Sequence, residues 1–215
     1  MKKLLLISFL CYPLLLSSQV KRGFGGEVGL YNSDYGSFMA HTAITYNWMI
    51  SKSFSASLGA MVIYNKIDDL SGWETNDASY YFDDEKILNF NVLSTATYTV
   101  PILKNTGIYV SVSAFFQPVP LNYISLDKAT KTDPVIVSKG KYAFTRFGPG
   151  VFGDLGFYHA IVRDEHVLQL FLGIGYGWYD PLPDYRNNTI DGQNLSSRIP
   201  KQKDFFRITF KIMGF

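Results

Sequence analysis

The segment from His41 to Asn65 constrains this chain more than any other. Read in steps of two, Ile44, Tyr46, Trp48 and Ile50 fall on one side and Ala43, Thr45 and Asn47 on the other. After Ser51-Lys52 the rhythm resumes, with Phe54, Ala56, Leu58, Ala60, Val62 and Tyr64 opposite Ser53, Ser55, Ser57 and Gly59. Period-two alternation on both sides of so short a connection predicts a β-hairpin. The apolar rows are long and end in aromatics, while the opposite rows are small and hydroxyl-rich. A soluble sandwich or barrel has the reverse balance, bulky and apolar inside and charged outside. This pattern suits strands whose outer face meets lipid and whose backbone groups all bond within a closed sheet.

The same alternation recurs along the chain. Strands are expected at 23–31, 38–50, 53–65, 87–100, 106–117, 142–158, 167–179 and 204–213, with a bulge or kink near Gly148–Gly150 in the sixth. Connections after the second, fourth and sixth strands are short, and those after the third, fifth and seventh, 66–86, 119–141 and 180–203, are long. Eight strands with alternating connections predict an all-β fold, an antiparallel up-and-down transmembrane β-barrel. Its short turns would be periplasmic, its long loops extracellular and both termini periplasmic. With that direction, Trp48, Phe54, Tyr98 and Phe157 fall at one rim. Tyr64, Phe90, Phe116, Tyr176 and Trp178 fall at the other, making two aromatic belts.

Composition removes the competing classes. Hydrophobic residues make up 47% of the chain, yet the mean hydropathy is only +0.03, too low for a bundle of membrane helices. The long apolar run lies at the start, MKKLLLISFLCYPLLLSSQ. Its two lysines, apolar core and small polar end read as a secretory signal peptide over 1–19, cut near Ser18–Val20, leaving one barrel domain over 20–215. Cys11, the single cysteine, lies in that leader. Phe9 and Leu10 stand before it where a lipidation motif needs small residues. Without Lys2 and Lys3 the basic count falls from 20 to 18, against 18 acidic residues, so nucleic acid is not an expected partner.

These features resemble the small eight-stranded outer-membrane barrels of Gram-negative bacteria, the OmpX/OmpA-like group. The leader, the eight alternating segments and Phe215 carry the resemblance, over roughly 20–215. The resemblance implies an outer-membrane location, contact with membrane lipid and lipopolysaccharide, and recognition by the barrel assembly machinery through an aromatic-ended last strand. This chain departs from that ending. Phe215 and Met213 fit, but Lys211, Thr209 and Arg207 hold the next alternate positions, and the apolar row Phe206, Ile208, Phe210 and Ile212 is one step out. A bulge near Gly214 would restore the register.

An eight-stranded barrel is just wide enough for side chains to fill its interior. The inward polar candidates are Glu27, Asn47, Asn89, Asn91, Asp154, Gln169, Arg207 and Lys211. Buried charges need partners, and closure of the first strand on the last makes Glu27 a natural partner for Arg207 or Lys211. The glycines of Gly173-Ile174-Gly175-Tyr176-Gly177 read as room for large inward neighbours, not as a nucleotide loop. Some barrels of this kind act on lipid with a histidine and a serine at the extracellular rim. His41 is the one rim histidine this topology offers, with Ser37 near it, but no triad spacing supports it, so no catalytic residue is assigned. Segment 66–86 holds seven acids and two lysines. Asp68, Asp69, Asp83 and Asp84 lack the ordered spacing of a calcium loop, and neither metal nor cofactor is expected. Trp73, Tyr80, Tyr81 and Phe82 among these acids suit a surface for ligand or partner binding, although a solvated loop packed on its neighbours is the plainer reading. The residues thus favour a non-enzymatic outer-membrane barrel that binds at its loops or supports the envelope. A lipid-modifying barrel enzyme and a soluble periplasmic barrel for an apolar ligand are the rival readings.

Overall fold

A computed structural model describes residues 20–34, 38–67, 72–82, 85–118, 123–132, 136–143, 148–181, 189–190, 193–194, 196 and 202–215. The expected leader, 1–19, lies outside them. Eight strands form the barrel: β1 (Lys21–Tyr31), β2 (Phe38–Met49), β3 (Phe54–Ile67), β6 (Glu85–Pro101), β7 (Thr106–Phe116), β10 (Gly150–Arg163), β11 (His166–Tyr179) and β14 (Asp204–Gly214). Each is antiparallel to its neighbours, and β1 pairs with both β2 and β14, which closes the sheet. Following paired residues from Lys21 through Met49, Ser55, Thr97, Ser111, Asp154, Gly175 and Arg207 returns to β1 at Tyr31, ten residues further along. A stagger of that size on eight strands tilts them by roughly 40–45° and leaves a lumen that side chains fill.

Lys21 and Phe215 lie at one end of the barrel, here the termini end, with the connections 50–53, 102–105 and 164–165. The opposite loop end carries 32–37, 68–84, 117–149 and 180–203. Three of those stretches, expected as loops, contain strands. From the first come β4 (Trp73–Glu74) and β5 (Ala78–Phe82); from the second come β8 (Tyr123–Thr130) and β9 (Val137–Ala143). They form a separate four-stranded sheet in the order β4-β5-β8-β9. The stretch 180–203 adds a small pair, β12 (Thr189–Ile190) with β13 (Gln193–Asn194).

Two sequence expectations need correction. The sixth barrel strand does not begin at 142, because residues 142 and 143 end β9, paired to β8. The barrel strand starts at Gly150, directly after Pro149, which lacks the donor a ladder requires. From there it runs unbroken to Arg163, so no bulge interrupts it. Nor is there a bulge near Gly214: β14 stays in register with β11 from Asp204 to Gly214, and Phe215 is buried with Met213.

Candidate functional site: the charged layer inside the barrel

Side chains alternate across every barrel strand, and the polar rows are the inner ones. Glu27, Asn47, Asn89, Asn91, Asp154, Gln169, Arg207 and Lys211 are all buried. The outer rows are apolar and open, as with Phe24 and Ile44, both 73% exposed, and Ile174, 67%. Water does not favour an apolar surface of this extent on a monomer. Hydrocarbon does. A polar, filled lumen inside an apolar wall of eight antiparallel strands is the arrangement of membrane barrels. The fold is that of the small outer-membrane barrels. A soluble barrel for an apolar ligand requires the opposite arrangement, with the greasy rows inside.

Four of the eight inward candidates come together. The Arg207 guanidinium grips Asp154 in a two-point fork, Nε to Oδ1 at 2.8 Å and the second terminal nitrogen to Oδ2 at 2.6 Å. The fork geometry matches a carboxylate and adds direction to charge. Its other terminal nitrogen stands 3.8 Å from Glu27, and its face lies 4.5 Å from the centre of the Phe152 ring. Lys211, opposite Glu27 in the β1–β14 ladder, places Nζ 3.2 Å from Glu27 Oε2. Ser111 donates to Asp154 at 3.1 Å, and Lys211 reaches the same hydroxyl at 3.5 Å. Two acids therefore face two bases in one connected layer.

Glycines make the layer possible. Asp154 on β10 and Arg207 on β14 flank β11, and Gly175 is the residue between them in register. A Cβ at 175 would collide with Asp154 Oδ1 and crowd Arg207 Cγ. Across the missing side chain the arginine reaches its partner. Gly29 serves His41 in the same way, since a Cβ there would strike the imidazole. Gly173 and Gly177 leave room for Tyr109 and Phe152.

The other candidates lie elsewhere. Asn89 donates to the Tyr179 hydroxyl at 2.7 Å and Asn91 to the Asn89 carbonyl at 2.9 Å. The buried Asn47 amide has no hydrogen-bond partner among the described residues, and Gln169 sits opposite Met213 near the termini end. His41 is not at the rim. It is 4% exposed and points into the lumen, its Nε2 3.0 Å from Glu27 Oε1. The stagger explains the difference, because position 41 is opposite Gly29 and Ile63, below the top of each neighbouring strand. Of the loop candidates, Asp68, Asp69, Asp83 and Asp84 lie outside the described residues, as does Ser37, and only the backbone of Trp73 is described. Tyr80 is buried in the outer sheet with the Lys128 ammonium 5.3 Å from its ring centre, whereas Tyr81 is exposed. Trp73 is the register partner of Tyr80 in the β4–β5 pair, and Tyr81 follows Tyr80 on the other face of β5.

Aromatic layers bound the charges on both sides. Toward the loop end, Tyr31, Phe115, Phe152, Tyr179 and Phe205 touch ring to ring. Toward the termini end, Tyr109, Tyr158, Phe171, Met213 and Phe215 pack together with Met49, Ala160 and Val167. His41 and Ser111 were missed as parts of the layer, although each shares the alternation of a recognised inward row.

No protein-family model and no curated protein matches the sequence. Solved structures that resemble it include Neisserial surface protein A, at 8% identity, covering 91% of this chain and 96% of that one, with a TM-score of 0.45. A major outer membrane protein from Thermus thermophilus has 13% identity, 91% and 100% coverage and a TM-score of 0.38. Ail, the attachment invasion locus protein of Yersinia pestis, has 8% identity, 91% and 97% coverage and a TM-score of 0.31. With every TM-score below 0.5, these likenesses carry no functional weight, and the barrel stands on this chain's own register.

Proposed function

We propose that this chain is a non-enzymatic outer-membrane β-barrel whose work is done at its loop end, by binding a ligand or partner or by supporting the envelope. The observation that carries the reading is the inverted polarity, apolar rows outward and charge pairs inward. A bilayer accepts that surface, and a plugged lumen leaves little for the barrel itself to transport. Among the described residues the strands additional to the barrel, β4, β5, β8 and β9 with the short pair β12 and β13, all belong to the loop-end connections, which favours that end as the working surface. None of the chain's three histidines stands at the loop-end rim: His41 is bound to Glu27 inside, and His159 and His166 lie toward the termini. That arrangement speaks against a rim histidine acting on lipid. In this reading the termini are periplasmic, the loop end meets lipopolysaccharide, and the assembly machinery inserts the barrel.

Cell fractionation with detergent extraction tests it, followed by gels of boiled and unboiled samples. The expected result is an outer-membrane protein that migrates faster unboiled and that protease added to intact cells cleaves within 66–86, 119–141 or 180–203. Release from the periplasm without detergent would overturn the reading.

A further inference from the structure

At the termini end the outer wall of the barrel carries a notch of about 310 Å³. Its floor is Gly214 on β14, and its walls come from β1 and β11 on either side and from β10 beyond β11. On β1, Arg22 lies at the end of the strand and Phe24 one outward position further in; on β10 the same order is Arg163 and Ile161, and on β11, His166 and Leu168. All six side chains belong to outward rows. Three strands thus repeat one sequence of polarity, a basic group at the barrel's edge and an apolar group next to it toward mid-barrel. The fourth strand brings Gly214, which has no side chain, and then Phe215, which packs in the interior cluster, and this leaves the hollow. Lys21 strengthens the basic edge and ties it down, its ammonium donating to the Glu165 carbonyl at 2.5 Å. Asp164 and Glu165, in the β10–β11 turn, are the acids beside this edge and set against it.

We infer that this notch binds the phosphate headgroup of a membrane phospholipid. The inference rests on the membrane reading above and adds a specific ligand to it. Basic pockets at the edge of the hydrocarbon layer attract lipid phosphate. Here Arg22 and Arg163 supply charge and planar donors that suit phosphate oxygens. Phe24, Ile161 and Leu168 continue the hollow along the path of the first acyl carbons. Basic side chains also snorkel at membrane edges without selecting any lipid. The gap over Gly214 is what distinguishes a site from that background, because snorkelling does not need it.

The test uses the folded barrel in a neutral maltoside detergent, titrated with phosphatidylglycerol and read by native mass spectrometry. The native barrel is expected to retain one lipid. Removing both arginines (Arg22→Gln with Arg163→Gln) should weaken retention on the order of tenfold or more. Gly214→Leu should weaken it comparably while leaving every charge in place. Lys104→Gln, in the 102–105 turn at the same end, should change nothing. Diacylglycerol, which lacks phosphate, should not be retained, and millimolar inorganic phosphate should not displace the lipid.

Equal retention by the native, double-arginine and Gly214→Leu proteins would overturn the site, as would displacement by inorganic phosphate alone. Unboiled gel mobility checks the fold of each protein. If Gly214→Leu does not fold, the contrast between the arginine pair and Lys104 decides. A fast-migrating barrel that retains no lipid sinks the site while leaving the membrane reading intact.

Discussion

Arg207 holds its place because position 175 has no side chain, and the two residues are best understood together. Arg207 is 2% exposed, and Asp154 and Glu27 are buried beside it. Replacing Arg207 with Met should therefore cost about 3–5 kcal/mol, since it strands a carboxylate in a closed interior. The double change Asp154→Leu with Arg207→Met should cost far less, because no charge is left unpaired. Urea titration followed by unboiled gel mobility measures both, and equal losses would show that the fork is not what matters. Gly175→Ala should cost about 1–3 kcal/mol by forcing Asp154 and Arg207 apart, and it should cost less once Asp154 is already Leu. Part of this was legible in the sequence. Parity alone places Glu27, Asp154, Arg207 and Lys211 inside. Parity also places His41 inside, on the row of Ala43, Thr45 and Asn47. Its level is what the sequence did not reveal, because the ten-residue stagger is a property of the closed sheet.

The barrel strands and the outer sheet were unequally legible as elements. Strands such as β7 and β11 announce themselves through uninterrupted alternation, and their observed ends differ from the expected ones by about a residue. β4, β5, β8 and β9 lack such a signal, since they are short, without long regular alternation, and joined into one sheet by β5 and β8, which lie some fifty residues apart. Charge is a better guide to them. The acidic stretch holding β5 and the lysine-rich stretch holding β8 and β9 lie side by side, and Lys131 meets Glu74 at 2.9 Å while its amide donates to the Asp77 carbonyl. The Lys131 hydrogen bond, with its charge, holds the Glu74 carboxyl below its ordinary value of 4.5. A lowered folded-state value means the pair supports the sheet above the ordinary value and is lost as pH falls through the lowered one. Amide exchange, corrected for intrinsic rates, should show protection at β5–β8 falling on acidification while β6–β7 is unchanged. In Lys131→Ala that acid-dependent part should vanish. Both partners are exposed, so the effect should be small and suppressed by salt.

Across the whole molecule, closure decides what the charged layer can do. An open sheet would leave these pairs at the mercy of water, whereas a closed one of eight strands seals them between two aromatic layers. The loop-end layer draws on β1, β7, β10, β11 and β14, and the termini-end layer on β2, β7, β10, β11 and β14, and each is expected to block ions by itself. The native barrel in a planar bilayer should therefore carry no current. Opening only the termini-end layer, with Tyr109→Ala and Phe171→Ala, should leave it silent, because the loop-end layer is intact. Removing only the fork, with Asp154→Ser and Arg207→Ser, should do the same, because aromatics remain above and below. Conductance should appear when both are removed together with Phe115→Ala and Phe152→Ala in the loop-end layer. The aromatic truncations should each cost about 3–5 kcal/mol, so the combined protein needs its unboiled mobility checked before any current is interpreted. Current through the native barrel, or through either partly opened one, would mean that the layers do not seal independently and that the lumen is a path. Silence in the fully opened barrel with its fold intact would place the block in the loop-end segments instead, above the layers described.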